Sequence, residues 1–213
     1  MSDAARWLAE VNAVYPMLDE GRAEEAHARL RQLLDGGAGR DASVRSAALI
    51  AMGYAACALE RFEEAREACR TLLAEADGDM RHIALHQLGM VERLAGELPR
   101  ALALFEQELS LLSPEDAAAL SANGYERALL RLKLGCVAEA EALAAQALDE
   151  AQRSGDAVCI GCAWRLMGEI AARQNRPDAA AHAWRESMQA FLRAGDPVGA
   201  QEVQRLLDGL EDS

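Results

Sequence analysis

Two residue pairs in this 213-residue sequence have spacings that could do chemistry. His82 and His86 stand four apart, which puts two imidazoles on one helix face and suits a metal ion. Cys159 and Cys162 form a CxxC, a unit of thiol redox centres and of zinc sites. Neither set is complete. Ile83 follows His82 where a zinc-protease motif needs glutamate, and no third ligand is near in sequence. The CxxC has no second pair and no strand–helix–strand context. His82 and His86 therefore read as polar residues of a helix surface, and Cys159 and Cys162 as small core residues on one helix face. Acid pairs such as Glu63–Glu64 recur at helix starts, where the dipole favours them. No glycine-rich phosphate loop follows a strand. The expectation is no catalytic residue, no cofactor and no metal: not an enzyme.

The elements carrying these residues should all be helices. Ala, Leu, Glu and Arg dominate, aromatics make up 4%, and only five prolines interrupt the chain. The net charge of −13 argues against nucleic acid and against an anionic membrane, both of which select clustered Lys and Arg. The start "MSDAARWLAE" has no basic and apolar leader pattern, and the apolar run "SAALIAMGYAACAL" at 46–59 is too short to span a bilayer. A cytoplasmic protein is expected. The five cysteines (57, 69, 136, 159, 162) show no secreted-type framework and should be reduced.

The chain repeats itself. Ala26, Ala65, Ala101, Ala140 and Ala180 align, at spacings of 39, 36, 39 and 40. Four residues after each stand Leu30, Cys69, Phe105, Ala144 and Trp184. Twelve residues before three of them stand Gly53, Gly89 and Gly168, where a small residue lets two helices of a hairpin approach. A second signal has nearly the same period: "GRD" at 39–41 and "GD" at 78–79, 155–156 and 195–196. Glycine there suits a left-handed C-terminal cap, and aspartate caps the next helix. At "SPED", 113–116, Ser113 is expected as N-cap with Pro114 first in the helix. A period of 36–40 residues marks a helical-hairpin solenoid.

The pattern resembles the tetratricopeptide repeat (TPR) over almost the whole chain. In "LIAMGYAACALERFEEAREAC" at 49–69, Leu49, Gly53, Ala65 and Cys69 fall on the repeat's signature. Leu85, Leu88, Gly89, Ala101 and Phe105 match in the next repeat, and Trp164, Gly168, Ala180 and Trp184 in the fifth. The period exceeds the usual one, so the helices should be about a turn longer, as in repeats attached to some bacterial regulators. Repeat four places Gly124 and Arg127 where bulky apolar residues are normal. The resemblance implies an all-α, right-handed superhelical solenoid of about five TPR-like hairpins, at 3–36, 41–77, 79–112, 114–154 and 156–194. A capping helix over 197–210 and an acidic tail complete a single domain, 1–213. Pro16 should kink or shorten the first helix.

The helix at 41–59 carries no charge between Arg45 and Glu60, so it is either wrapped by neighbours or presents a sticky face. Leu49, Met52, Gly53 and Ala56 should pack inside the hairpin, leaving Ile50, Tyr54 and Cys57 nearly opposite. In the family that opposite stripe lines a concave groove. Carried across the repeats, it comprises Val11, Tyr15 and Leu18; Ile50, Tyr54 and Cys57; Ile83, His86, Met90 and Arg93; Tyr125, Leu129 and Leu132; and Cys162, Arg165, Glu169 and Arg173. The stripe is apolar and aromatic in the first four repeats and polar in the fifth. The family's carboxylate clamp needs Lys and Asn where Ile50, Tyr54 and Ile83 stand, so that mode is not expected. The stripe is either a groove for an apolar or amphipathic segment of another protein or peptide, or core buried by curvature or by a second copy. A scaffold or adaptor, a sensor for a peptide or small apolar ligand, and a self-associating homo-dimer all fit this pattern.

Overall fold

The computed structural model describes residues 2–78 and 80–211, and every element among them is helical. The chain is an all-α solenoid of helical hairpins, and it separates into two compact units, Met1–Glu108 and Leu109–Ser213. The capping role expected of Asp79, and the tail residue Asp212, lie outside the described residues.

The first unit runs α1 (Asp3–Asn12), α2 (Val14–Asp19), α3 (Ala23–Asp35), a 3-10 turn (Gly37–Arg40), α4 (Ala42–Ala58), α5 (Phe62–Glu75), α6 (Met80–Leu94) and α7 (Leu98–Leu109). The break between α1 and α2 at Ala13 follows from Pro16. Proline has no N–H to give the carbonyl of Asn12, and its ring crowds that carbonyl, so the helix restarts. The apolar helix α4 is mostly wrapped: it packs on α1, α2, α3, α5 and α6 and buries Val44, Ala48, Leu49, Ala51, Met52, Gly53, Ala55 and Ala56. Ile50, Tyr54 and Cys57 are left half-buried.

The second unit runs α8 (Ala117–Lys133), α9 (Val137–Ser154), α10 (Ala157–Arg173), α11 (Pro177–Ala194) and α12 (Pro197–Glu211). Helix α12 lies against α11 and buries Val203 and Ala200 in a cluster with Trp184 and Phe191.

One packing rule builds every hairpin. The five aligned alanines are fully buried, and so, to within a few per cent, are Leu30, Cys69, Phe105, Ala144 and Trp184. Twelve residues before the alanines stand Val14, Gly53, Gly89, Ala128 and Gly168, and where the partner is a large ring, at Phe105 and Trp184, the facing residue is glycine. A Cβ on Gly89 would come within 2.8 Å of the Phe105 ring, and one on Gly168 would overlap the Trp184 indole. Repeat four solves the same problem with Ala128 against Ala144, so its odd residue Gly124 is free to meet Ala147 instead.

The caps partly depart from expectation. Asp41, Asp156 and Asp196 accept backbone N–H bonds from the first turns of α4, α10 and α12, with Gly155 and Gly195 left-handed before the last two. Gly39 is not left-handed; it belongs to the 3-10 turn. At "SPED" the N-cap is Asp116, which accepts from Ala119 N, and not Ser113. The Ser113 carbonyl accepts from Asp116 N, closing a four-residue turn around Pro114. Proline with serine before it suits such a turn at least as well as a helix start.

The tight turn inside each hairpin carries a further repeat. Gly21, Glu60, Gly96, Gly135 and Asn175 all have positive φ, each five residues before an aligned alanine. Each donates its N–H to the carbonyl three back, and the next residue donates to the carbonyl five before it, as in Arg22 N to Met17 O at 2.8 Å. This is the Schellman arrangement, which satisfies helix-end carbonyls and reverses the chain.

Candidate functional site

In the first unit, α2, α4 and the end of α6 leave a cleft of about 660 Å³. It is lined by Tyr15, Leu18, Asp19, Ile50, Tyr54, Cys57, Ala58 and Leu94. Helical spacing puts them together: Ile50, Tyr54, Cys57 and Ala58 occupy one face of α4, Tyr15, Leu18 and Asp19 one face of α2. The rings of Tyr15 and Tyr54 meet edge to face at 6.1 Å, a geometry aromatic pairs favour. The Tyr54 hydroxyl points to the Met90 sulfur at 3.8 Å. Tyr15 is 36% exposed and Leu94 47%, so both walls of the cleft present side chains to solvent.

Of the stripe residues expected from sequence, Tyr15, Leu18, Ile50, Tyr54 and Cys57 line this cleft, and Met90 adjoins it through Tyr54. Asp19, Ala58 and Leu94 also line it and were not expected; Ala58 follows Tyr54 and Leu94 follows Met90 by one turn, so the period contained that signal. Val11 is fully buried and belongs to the core, a correction to the stripe. His86 turns to its hairpin partner: its Nδ1 lies 3.0 Å from the carboxylate of buried Glu108, and its ring meets Phe105 edge-on.

Behind the cleft, Arg66 of α5 spans Glu92 of α6 in a buried bidentate pair at 2.8–3.0 Å and also bonds Glu63. Burial pushes the Cys57 thiol up to about 11, against an opposite pull from Arg66 and Arg93, and the Cys69 thiol up to about 12. Such thiols are poor nucleophiles at neutral pH.

The second unit's stripe is built differently. Tyr125 and Leu129 pack against the cluster of Ala128, Ala140, Ala144, Leu166 and Ile170, and Leu132 is core, a second correction. Arg165 donates from Nη2 to the Tyr125 hydroxyl at 3.1 Å and from Nη1 to Glu202 of α12 at 2.9 Å. Burial raises the Glu169 carboxyl, against the opposing pull of Arg165, Lys133 and Arg173. The CxxC thiols face different clusters, Cys159 the one around Leu148 and Cys162 the one around Trp184, and burial raises both. Among the described residues no group of three or more His, Cys, Asp or Glu side chains is placed to hold a metal ion. Among the same residues no helix is long and apolar enough to cross a membrane.

No protein-family model matches the chain, and no curated protein matches it. Solved structures do. PlcR of Bacillus thuringiensis, determined in complex with the peptide PapR7 and DNA, is similar over 100% of this chain and 76% of its own, at 16% identity and a TM-score of 0.75. BtubC (BKLC) from P. vanneervenii is similar over 100% and 92%, at 14% and 0.62. A putative kinesin light chain of Podosopora anserina with nearly identical TPR-like repeats is similar over 99% and 97%, at 20% and 0.57. The fold is that of TPR-like repeat proteins.

Proposed function

We propose that the chain is a non-catalytic interaction module that holds an apolar or amphipathic segment of a partner protein in the α2–α4–α6 cleft. The observation carrying this is the cleft itself: about 660 Å³, apolar apart from Asp19 and the two tyrosine hydroxyls, with Tyr15 and Leu94 left partly in water. Its volume suits a few side chains of a bound segment. Tyr15, Ile50, Tyr54 and Met90 would supply most of the contact, since rigid aromatics and an adaptable thioether suit such surfaces.

A regulatory form of the same reading is favoured by one comparison: PlcR, similar along the whole chain, was solved with a peptide. A peptide in this cleft would favour whichever arrangement of α2 and α4 fits it better. That structure also holds DNA, but about a quarter of PlcR lies outside the match, and the charge of −13 here supports a protein or peptide partner over nucleic acid.

The test is Tyr54→Glu. Capture of partner from native extract should be lost while the helical circular dichroism signal and melting point stay near wild type. If Tyr54→Glu unfolds as badly as an overpacked hairpin does, the stripe is core and the reading fails. Light scattering across concentration identifies a second copy as the occupant instead.

A further inference from the structure

We propose that the segment held in this cleft carries a Lys or Arg that pairs with Asp19, so that the cleft selects basic amphipathic segments over acidic ones. The inference rests on the cleft being a binding site and adds the chemistry of its occupant. Asp19 is the one charged side chain among the eight residues lining the cleft. It is also the last residue of α2, where the negative end of the helix dipole disfavours a carboxylate. Its neighbour Glu20 is compensated, by Arg22 at 2.8 Å. Asp19 is exposed and makes no hydrogen bond or ion pair among the described residues. A locally unfavourable, uncompensated anion beside a solvent-facing apolar cleft is what a cationic ligand would need.

A cation on the occupant is therefore favoured at the α2 side, and the apolar part at Ile50, Tyr54 and Leu94.

A displayed library of random peptides, selected in parallel on wild type, Asp19→Asn, Asp19→Lys and Tyr54→Glu, tests this. Wild type should enrich peptides pairing a large apolar residue with Lys or Arg; Asp19→Asn should lose the basic preference and Asp19→Lys should replace it with an acidic one. A synthetic peptide from the wild-type pool should bind Asp19→Lys about tenfold more weakly at low salt, and the gap should narrow as salt rises. Apolar peptides enriched identically on all Asp19 variants would overturn the pairing and leave the cleft a binding site. If no peptide is enriched whose capture needs Tyr54, the binding site itself is refuted, and the pairing with it. Melting points should be unchanged or slightly raised in both Asp19 variants; a fall in both would make Asp19 structural and overturn the proposal.

Discussion

The inner stripe of the first unit and that of the second occupy the same repeat positions and end in opposite states. Tyr54 on α4 faces a cleft and another tyrosine, and its hydroxyl points to the Met90 sulfur. Tyr125 on α8 packs on a core cluster and accepts a hydrogen bond from Arg165, which is itself tied to Glu202. One stripe has apolar surface still to bury; the other is closed by its own polar bonds. The hairpin scaffold underneath is common to both. A solenoid can therefore keep one packing rule and vary the inner face repeat by repeat.

The largest effect should come from that common scaffold. Gly89→Leu would drive a side chain into the Phe105 ring and Gly168→Leu into the Trp184 indole. Each should cost on the order of 3 kcal/mol, read from urea denaturation of the whole chain. Gly53→Ala should stay within about 1 kcal/mol of wild type, because its Cβ would meet only the Cys69 sulfur at 3.3 Å and helix propensity improves. If Gly168→Leu is mild while Gly89→Leu is severe, the two units do not share one packing rule.

How much of this was readable in the sequence depends on which atoms carry the signal. The buried alanines were readable because close helix packing allows few residue types there, and Phe105 and Trp184 because each is paired with a glycine. The left-handed turns were missed because the glycine series is interrupted: Gly21, Gly96 and Gly135 keep it, but Glu60 and Asn175 break it. The cap at Asp116 was hidden because Ser113 and Pro114 suit a turn as well as a helix start. Tyr15 and Tyr54 could be placed on one stripe, but their edge-to-face contact joins two helices far apart in sequence, which spacing along one helix does not give. Val11 fell on the stripe by period and packs into the core, while His86 pairs with Glu108 of its hairpin partner. Spacing gives a face; it does not give what fills the space opposite.

A middle-sized effect separates the two stripes directly. Tyr125→Phe removes the acceptor for Arg165 Nη2 and should cost about 1 kcal/mol in thermal or urea melts, without altering partner capture. Tyr15→Phe, at a cleft wall and 36% exposed, should change stability by less than about 0.5 kcal/mol. A destabilisation by Tyr15→Phe as large as that by Tyr125→Phe would mean that the first unit's stripe is also closed by polar bonds, and the contrast would disappear.

The smallest effect compares the two non-glycine left-handed turns, one in each unit. Glu60 has φ 57° and Asn175 φ 55°, at the same place in the hairpin. A side chain with a Cβ pays roughly 1–2 kcal/mol in this conformation, although asparagine tolerates it better than glutamate does. Glycine removes that strain but brings a more flexible unfolded chain, which offsets part of the gain. Glu60→Gly should therefore stabilise by about 0.5–1 kcal/mol, and Asn175→Gly by less, with melting temperature as the readout. The neighbours differ as well: Arg176 is held by Glu141 and bonded to Gln174, whereas Arg61 reaches Glu24 on α3 at 2.7 Å. Those bonds survive either substitution, because they belong to the residues flanking the turn. If Asn175→Gly gained more than Glu60→Gly, the turn conformation would not set the order, and the flanking ion pairs would have to be what differs between the two units.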